Sequence, residues 1–590
     1  MDNSVTLVTS LEEGRAAYQR FVQGDGFLSF DTETTGLYVR TPHGDRARTV
    51  QFSWRPWEEA VVFEVKERYL GAITAFFGAA TGVVGHNVRF DVHAMASEEV
   101  FIYKGFAPED VHDTVWLARL HDERDNAQLK PLSDKYLGAE SSAEQAALKR
   151  VMKKNGWTWA TVPVKFLVEY GGLDAILTGQ LFDLLYGRIG YALGAYEREQ
   201  RLSAVLYAME RKGILMDIPL LNKIDQEMTD KVEEDLGILL AAKPGLNPNA
   251  PLQVKAMFKE RGIDLPNTKE ATLKAHSGKD PLIATLLEYR KADKMLSTYI
   301  RKWYTLITPE GRMHPNFNQL GAKTGRFSSS DPNLQNVKRG PGLRDVFIAE
   351  EGSKMVVADW EQMELRLYAH FAEDENMRAA FLSGDDIYQQ AADLLGVTRQ
   401  VGKMIMLASI YGAGPAALKT QCINQAYQFN IPEIVPTLEG YDWIALHKRF
   451  HSLYNIKKLA QSTEYAAQRR GQLGEAYINT LGGRRQRPKR FTLPPTSSGY
   501  RHEVLIYKDL ANSLVQGSAS DLMKMAILDV ADAGYKDMLR LTVHDEMVLE
   551  VPDDKVQEVE EAIGRLMTRN EFVPPLTVEA SHAQRYGEAK

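Results

Sequence analysis

At 590 residues the chain is long enough for three or four domains. Its 44% hydrophobic and 25% charged residues are ordinary for a globular protein, and with no apolar run of about 18 residues and no basic-then-apolar start, neither a membrane span nor a signal peptide is expected. A net charge of −7 argues against a protein that coats nucleic acid but not against an enzyme with acidic metal sites and a locally basic groove, and the single cysteine, Cys422, excludes a disulfide framework and fits a reducing cytoplasm.

Residues 1–190 alternate strand and helix patterns. Strands are predicted at Val5–Val8, Phe27–Phe30, Val50–Trp54, Ala60–Val65 and Gly82–Gly85, with helices at Leu11–Val22 and Tyr69–Ala79 and another opened by Asn87. This is the signature of an α/β domain with a mixed sheet. Asp31 and Glu33 follow the second strand two residues apart, so in an extended chain they share a face. Asp91 begins the Asn87 helix, and Tyr170 and Asp174 are spaced i, i+4 in the helical run Val168–Leu185. Four carboxylates and a tyrosine suit two divalent ions and an attacking water, the chemistry of phosphodiester hydrolysis.

Amphipathic stretches at Glu197–Lys212, Ile218–Ala242 and Pro281–Ile307 make the next segment mostly helical, with a turn at Asn247–Pro251 before a helix near Leu252. Strand and loop patterns return over 310–375, and 376–480 is largely helical. Met355-Val356-Val357 ends in Ala358-Asp359-Trp360, where the period changes from strand to helix. Leu539–Val543 and Met547–Val551 read as a hairpin with His544-Asp545-Glu546 at its tip. Carboxylates at strand ends are good ligands for hard cations. Arg399, Lys403, Leu407 and Tyr411 fall at four-residue steps on one helical stripe, so two cations a turn apart can neutralise a triphosphate and Tyr411 can stack on a base. The basic run Gly483–Arg490 is either a solvated loop or a phosphate contact.

Longer strings narrow the reading. Thr324-Gly325-Arg326-Phe327-Ser328-Ser329, Asp331-Pro332-Asn333-Leu334-Gln335-Asn336, Asp359-Trp360-Glu361-Gln362-Met363-Glu364-Leu365-Arg366, Arg399-x3-Lys403-x7-Tyr411-Gly412 and Val543-His544-Asp545-Glu546 together resemble family A DNA polymerases, of the DNA polymerase I type and its phage relatives. The N-terminal acidic set resembles the proofreading 3′–5′ exonuclease superfamily. The resemblance runs from about residue 25 to the C-terminus. It implies a ribonuclease H-like exonuclease domain at 1–190, a helical thumb at 191–310, a palm from 311–375 and 490–590, and fingers at 376–489. It also implies that no 5′ nuclease domain accompanies them and favours a phage replication enzyme over a bacterial repair polymerase.

By the same resemblance, Asp359, Asp545 and the Trp360 carbonyl hold two Mg²⁺ ions, with Mn²⁺ able to substitute. Glu546 is auxiliary. Arg399 and Lys403 bind the triphosphate and Lys403 serves as general acid. Glu364 blocks a ribose 2′-hydroxyl, and Gln362, Tyr388, Leu407 and Tyr411 line the dNTP site. Arg326, Gln335, Asn336, Arg344, Asn512, Gln516 and His544 contact primer–template DNA. Asp31, Glu33, Asp91 and Asp174 bind the exonuclease metals, Tyr170 places the water, and Asn87 and Leu37 meet the primer end. The partners implied are primer–template DNA and dNTPs, with replisome or processivity proteins left open, for a monomeric enzyme of the cytoplasm. Leu407 stands where Phe or Tyr is usual, Tyr388 where His is common, and Trp360-Glu361 in place of Tyr-Ser. A nuclease that uses its C-terminal part only to bind DNA, a non-catalytic subunit and a single-subunit RNA polymerase are the rival readings. Intact Asp359, Lys403 and Asp545 weigh against the first two, and Glu364 with the nuclease set against the third.

Overall fold

The computed structural model describes residues 4–41, 43–100, 102–337, 342–428, 431–492 and 503–589. Two main cores divide it, one within the first two hundred residues and one running from Leu202 to the C-terminal segment.

The first core surrounds a six-stranded sheet of β1 (Ser4–Leu7), β2 (Phe27–Thr34), β3 (Ala47–Trp54), β4 (Glu59–Glu64), β5 (Gly82–Gly85) and β6 (Val111–Asp113), ordered β1-β4-β3-β2-β5-β6. β2, β3 and β4 are antiparallel, and β5 and β6 run parallel to β2. Three antiparallel strands followed by two parallel ones is the ribonuclease H-like order that the sequence resemblance implies. Aromatic rings fill one face: Phe52 stacks on Phe76 at 4.9 Å and meets Phe77 edge-on at 5.2 Å. Each such buried ring contributes roughly 4 kcal/mol of gross hydrophobic stabilisation.

β2 is longer than the predicted Phe27–Phe30. It runs through Thr34, so Asp31 and Glu33 lie within the strand and not after it, and alternation puts both on one face while Thr32 turns to the other. The helix Val164–Tyr186 packs across β2 and β3. Gly171 and Gly172 permit this approach: a Cβ on Gly172 would collide with the Val5 side chain and one on Gly171 with the Gln51 amide. Close contact is what delivers Tyr170 and Asp174 to the carboxylates of β2.

The helix Leu193–Lys212 leads into the second core. Beyond it, Ile218–Ala242 packs against Pro281–Met295. The predicted single helix Pro281–Ile307 is broken by a π turn at Leu296–Ile300 and stops at Tyr304, because Ile307 forms a bridge with Met313. The central four-stranded sheet contains β7 (Ser353–Trp360), β8 (Leu539–Val543), β9 (Glu546–Pro552) and β10 (Val578–Ala583), ordered β8-β9-β7-β10 and antiparallel throughout. Its middle strand is buried on both faces, which is why Met355–Ala358 reads as an unbroken apolar run. Helix Val556–Met567 covers it. Glu546 belongs to β9, paired with both Val543 and Asp359, so only His544 and Asp545 form the hairpin tip.

Candidate active sites

One ligand oxygen each from Asp31, Glu33 and Asp174 lies within 4.8 Å of the other two, close enough to share a metal ion. Desolvation pushes the Asp31 carboxyl up to about 7 against the opposing charge of Lys130, and Glu33 is pushed well above its usual range by burial and by Asp31. Three hard oxygen donors whose mutual repulsion the fold offsets only in part suit a divalent cation. Asp91 stays outside that trio. Its Oδ1 accepts the Thr32 backbone N–H at 3.0 Å and the Thr32 hydroxyl at 2.6 Å. Burial and the charge of Asp31 nonetheless raise its carboxyl strongly, so it belongs to the same electrostatic site.

Sequence reasoning missed three residues here. Lys130, in the first turn of the helix Leu129–Leu137, reaches in, pairs with Asp174 and lies 4.5 Å from the Tyr170 ring centroid. Gln145 donates to the Tyr170 hydroxyl at 2.9 Å and fixes that ring. Asp113 accepts the backbone N–H groups of Asn87 (3.0 Å) and Val88 (2.9 Å), holding the turn in which Asn87 sits at φ 63°. None of the three had a spacing signal, because each comes from a separate element. Leu37 is 75% exposed.

In the second core, the Asp359–Glu546 pairing sets Asp359 beside the hairpin tip, and the Trp360 N–H donates to the Asp545 carbonyl at 3.4 Å. Two aspartates 186 positions apart in sequence thus meet at adjacent strand ends. The Trp360 indole is buried and donates to the Met567 carbonyl at 3.0 Å. Gln362 (φ 49°) and His544 (φ 60°) both take the left-handed backbone region that non-glycine residues seldom adopt, flanking the two aspartates. Arg326, Gln335, Glu364, His544 and Asp545 line one pocket, and the buried Gln335 Nε2 has no hydrogen-bond partner in it.

The helix Arg399–Ile410 carries the basic stripe, and Tyr411 caps its end, 45% exposed. Gly402 lets it press against Ile387–Leu395, since a Cβ there would strike the Tyr388 carbonyl. Tyr388 thereby lies beneath both cations, its ring centroid 5.3 Å from Lys403 Nζ and 5.8 Å from the Arg399 guanidinium. Arg399 pairs with Asp386 at 2.5 Å. Leu407 is half-buried on the same stripe. A cavity of about 680 Å³ opens next to Tyr411, lined by Lys323, Asn512, Gln516, Lys489 and Arg490 and closed by residues 122–125 of the first domain. Asn336 is exposed, its carbonyl accepting from the Tyr299 hydroxyl at 2.9 Å.

Two expectations need correction. Arg344 is buried and not a free DNA contact: it donates to the Val337 carbonyl at 3.0 Å, pairs with Glu546 at 3.4 Å and lies 4.8 Å over the Tyr586 ring. Glu546 is fully buried and also accepts from the Tyr586 hydroxyl, so Arg344, Glu546 and Tyr586 brace the tip from inside the fold. The basic run is likewise neither a solvated loop nor a uniform phosphate patch. Arg484 pairs with Asp521 (2.6 Å), Arg487 with Glu123 and Glu475 (both 2.7 Å), and Arg485 stacks 3.4 Å over Tyr191, leaving only Lys489 and Arg490 exposed. Of the carboxylates that draw these arginines inward, Asp521 and Glu123 lie far away in sequence.

Residues 219–588 match DNA polymerase family A and residues 6–189 match a 3′–5′ exonuclease family. The chain is 32% identical to a thermostable DNA polymerase I of Thermus filiformis over 449 residues, 70% of this chain and 51% of that protein. It is 29% identical to DNA polymerase I of Chloroflexus aurantiacus over 542 residues, 85% of this chain and 54% of that one. It therefore spans about half the length of these curated relatives. The solved POL domain of Pol1 from M. smegmatis, in complex with DNA primer-template and dNTP, shares the fold with a TM-score of 0.74 at 21% identity, over 99% of this chain and 100% of that one.

Proposed function

The chain belongs to DNA polymerase family A, with a 3′–5′ exonuclease domain ahead of the polymerase domain, and from this we propose that it extends a primer 3′ end on a DNA template with dNTPs and removes mispaired ends. The observation that carries the reading is the meeting of Asp359 and Asp545 at neighbouring strand ends, with Asp545 lining a pocket shared with Arg326, Glu364 and His544. The division into a palm around the central sheet, fingers at 376–489 and a thumb at 191–310 is part of it.

Asp359, Asp545 and the Trp360 carbonyl would hold two Mg²⁺ ions, with Mn²⁺ a substitute, whose chemistry when bound would be to lower the pKa of a 3′-hydroxyl and offset the charge of a leaving pyrophosphate. Arg399 and Lys403 clamp the triphosphate, and Lys403 protonates the leaving group. Tyr388 underlies both cations, Gln362 shapes the turn at the site, and Leu407 and Tyr411 pack against the incoming nucleotide. Glu364 excludes a 2′-hydroxyl. Arg326, Gln335, Asn336, Asn512, Gln516 and His544 hold the primer and template, where minor-groove acceptors are shared by all correct pairs. Glu546 and Arg344 act through the hairpin they support.

In the first domain Asp31, Glu33, Asp91 and Asp174 hold the ions. Tyr170, fixed by Gln145, orients the attacking water, and Asn87 and Leu37 seat the primer end. The enzyme acts as a monomer in the cytoplasm of a bacterium or a phage-infected host; among the described residues no helix is long and apolar enough to cross a membrane. A labelled primer–template, matched or mispaired at its end, incubated with Mg²⁺ with and without dNTPs tests all of this. Extension with dNTPs and shortening without them are expected, and a primer unchanged in both arms refutes the reading.

A further inference from the structure

Lys130 has no part in the chemistry described so far. Its side chain is 4% exposed, and its ammonium pairs with Asp174, whose carboxylate lies within 4.8 Å of those of Asp31 and Glu33. The backbone fixes it there: Ser141 Oγ donates to the Lys130 carbonyl at 3.3 Å, and the helix Leu129–Leu137 packs on Val164–Tyr186. A lysine stem carries a large conformational entropy, so a buried ammonium held on a carboxylate reflects a strong electrostatic demand. That demand is the uncompensated charge of the trio. An ammonium and a divalent ion are then rivals for one carboxylate.

We infer that Lys130 is a positioning residue that occupies Asp174 until DNA arrives, so that metal loading of the exonuclease site depends on the primer end. This rests on the exonuclease reading given above. The three clustered carboxylates outnumber the two cations, Lys130 and Arg48, that act on them, which leaves a net demand for cations. With two divalent ions in addition, the ammonium becomes surplus, and a phosphodiester is the anion that can take it. Single-stranded DNA and divalent ions should therefore bind each other's site with positive coupling, and by linkage each raises the affinity of the other. A site left open to ions without DNA would lack this link.

The test uses the full chain with its polymerase site silenced by Asp359→Ala and Asp545→Ala. Mn²⁺ binding is read by electron paramagnetic resonance, with and without a short single-stranded oligonucleotide whose terminal linkage is an uncleavable phosphorothioate. With Lys130 in place, the oligonucleotide should tighten Mn²⁺ binding on the order of tenfold. Lys130→Met should bind Mn²⁺ on the order of five- to tenfold more tightly without DNA and lose most of the DNA effect. Lys130→Arg should restore the original pattern. If Lys130→Met lacks a cooperative melting transition, Lys130→Gln is read in its place. Unchanged or weaker Mn²⁺ binding on loss of the ammonium overturns the inference, since a lysine that merely orders Asp174 would help the ion. Mn²⁺ binding that is insensitive to Asp31→Ala would instead overturn the exonuclease reading itself.

Discussion

The Tyr411 hydroxyl donates to one oxygen of the Glu364 carboxylate while Arg326 holds the other. The last residue of the basic stripe, the first turn of the helix Met363–Phe371 and the Thr324–Ser329 segment are thus tied through one acidic group. A carboxylate held from both sides is a rigid wall against an extra hydroxyl. Glu364→Ala should raise ribonucleotide incorporation relative to dNTP on the order of 10- to 100-fold in kcat/KM. Tyr411→Phe, which leaves Arg326 in place, should move the ratio the same way by a smaller factor. Single-nucleotide incorporation kinetics with paired dNTP and rNTP substrates measures both, and an unchanged ratio in Glu364→Ala excludes the wall.

Asp545→Ala should lower extension by more than about a hundredfold while digestion of a mispaired end continues at the parent rate. The apolar clusters that hold the β8–β9 tip and β2 are distinct, so loss of one carboxylate at the tip leaves the packing around β2 in place. Extension near the parent rate would remove Asp545 from the site.

The reciprocal substitution, Asp31→Ala with Glu33→Ala, should abolish digestion and spare synthesis. Gln145→Leu is a graded version. It frees the Tyr170 hydroxyl and should slow digestion by roughly three- to tenfold, the scale of one lost orienting hydrogen bond. A quench-flow measurement on single-stranded DNA resolves it, and digestion at the parent rate would mean Tyr170 needs no such support.

Glu210 joins the two cores. Its carboxylate pairs with Arg89 at 3.0 Å, meets His93 Nε2 at 2.7 Å and accepts the Phe317 N–H at 2.7 Å, all buried. Burial alone would raise its pKa, but Arg89, His93 and Arg40 outweigh that and hold it down to about 2, while burial drives His93 down to about 4 and so neutral near pH 7. A depressed carboxyl stabilises the fold fully above its ordinary value of 4.5 and loses that contribution as pH falls through about 2. Glu210→Gln should lower stability by about 3 kcal/mol at pH 7. The gap in Tm between it and the parent should narrow as pH falls below 4.5, and calorimetry at a series of pH values checks this.

Much of this was visible in sequence because the signals are local. The alternation in β2 put Asp31 and Glu33 on one face, the four-residue steps put Arg399 and Lys403 on one stripe, and the period change at Asp359 marked a strand end. What stayed hidden depends on contacts between distant segments. Lys130 is an ordinary lysine until its helix docks on the Asp174 helix. Arg344 looks like a DNA ligand until Glu546 and Tyr586 enclose it. The arginines at 484–487 look solvated until Asp521 and Glu123 arrive from either side of the chain.

The Arg487–Glu123 pair also bears on how a digestion-free version should be made. Cutting away the first domain would take Glu123 from the Arg487 guanidinium and leave it with Glu475 and the Tyr191 hydroxyl. It would also strip Arg89 from Glu210. Truncation would therefore yield a C-terminal fragment with stranded charges on its new surface, whereas point substitution in β2 leaves the seam between the two domains intact.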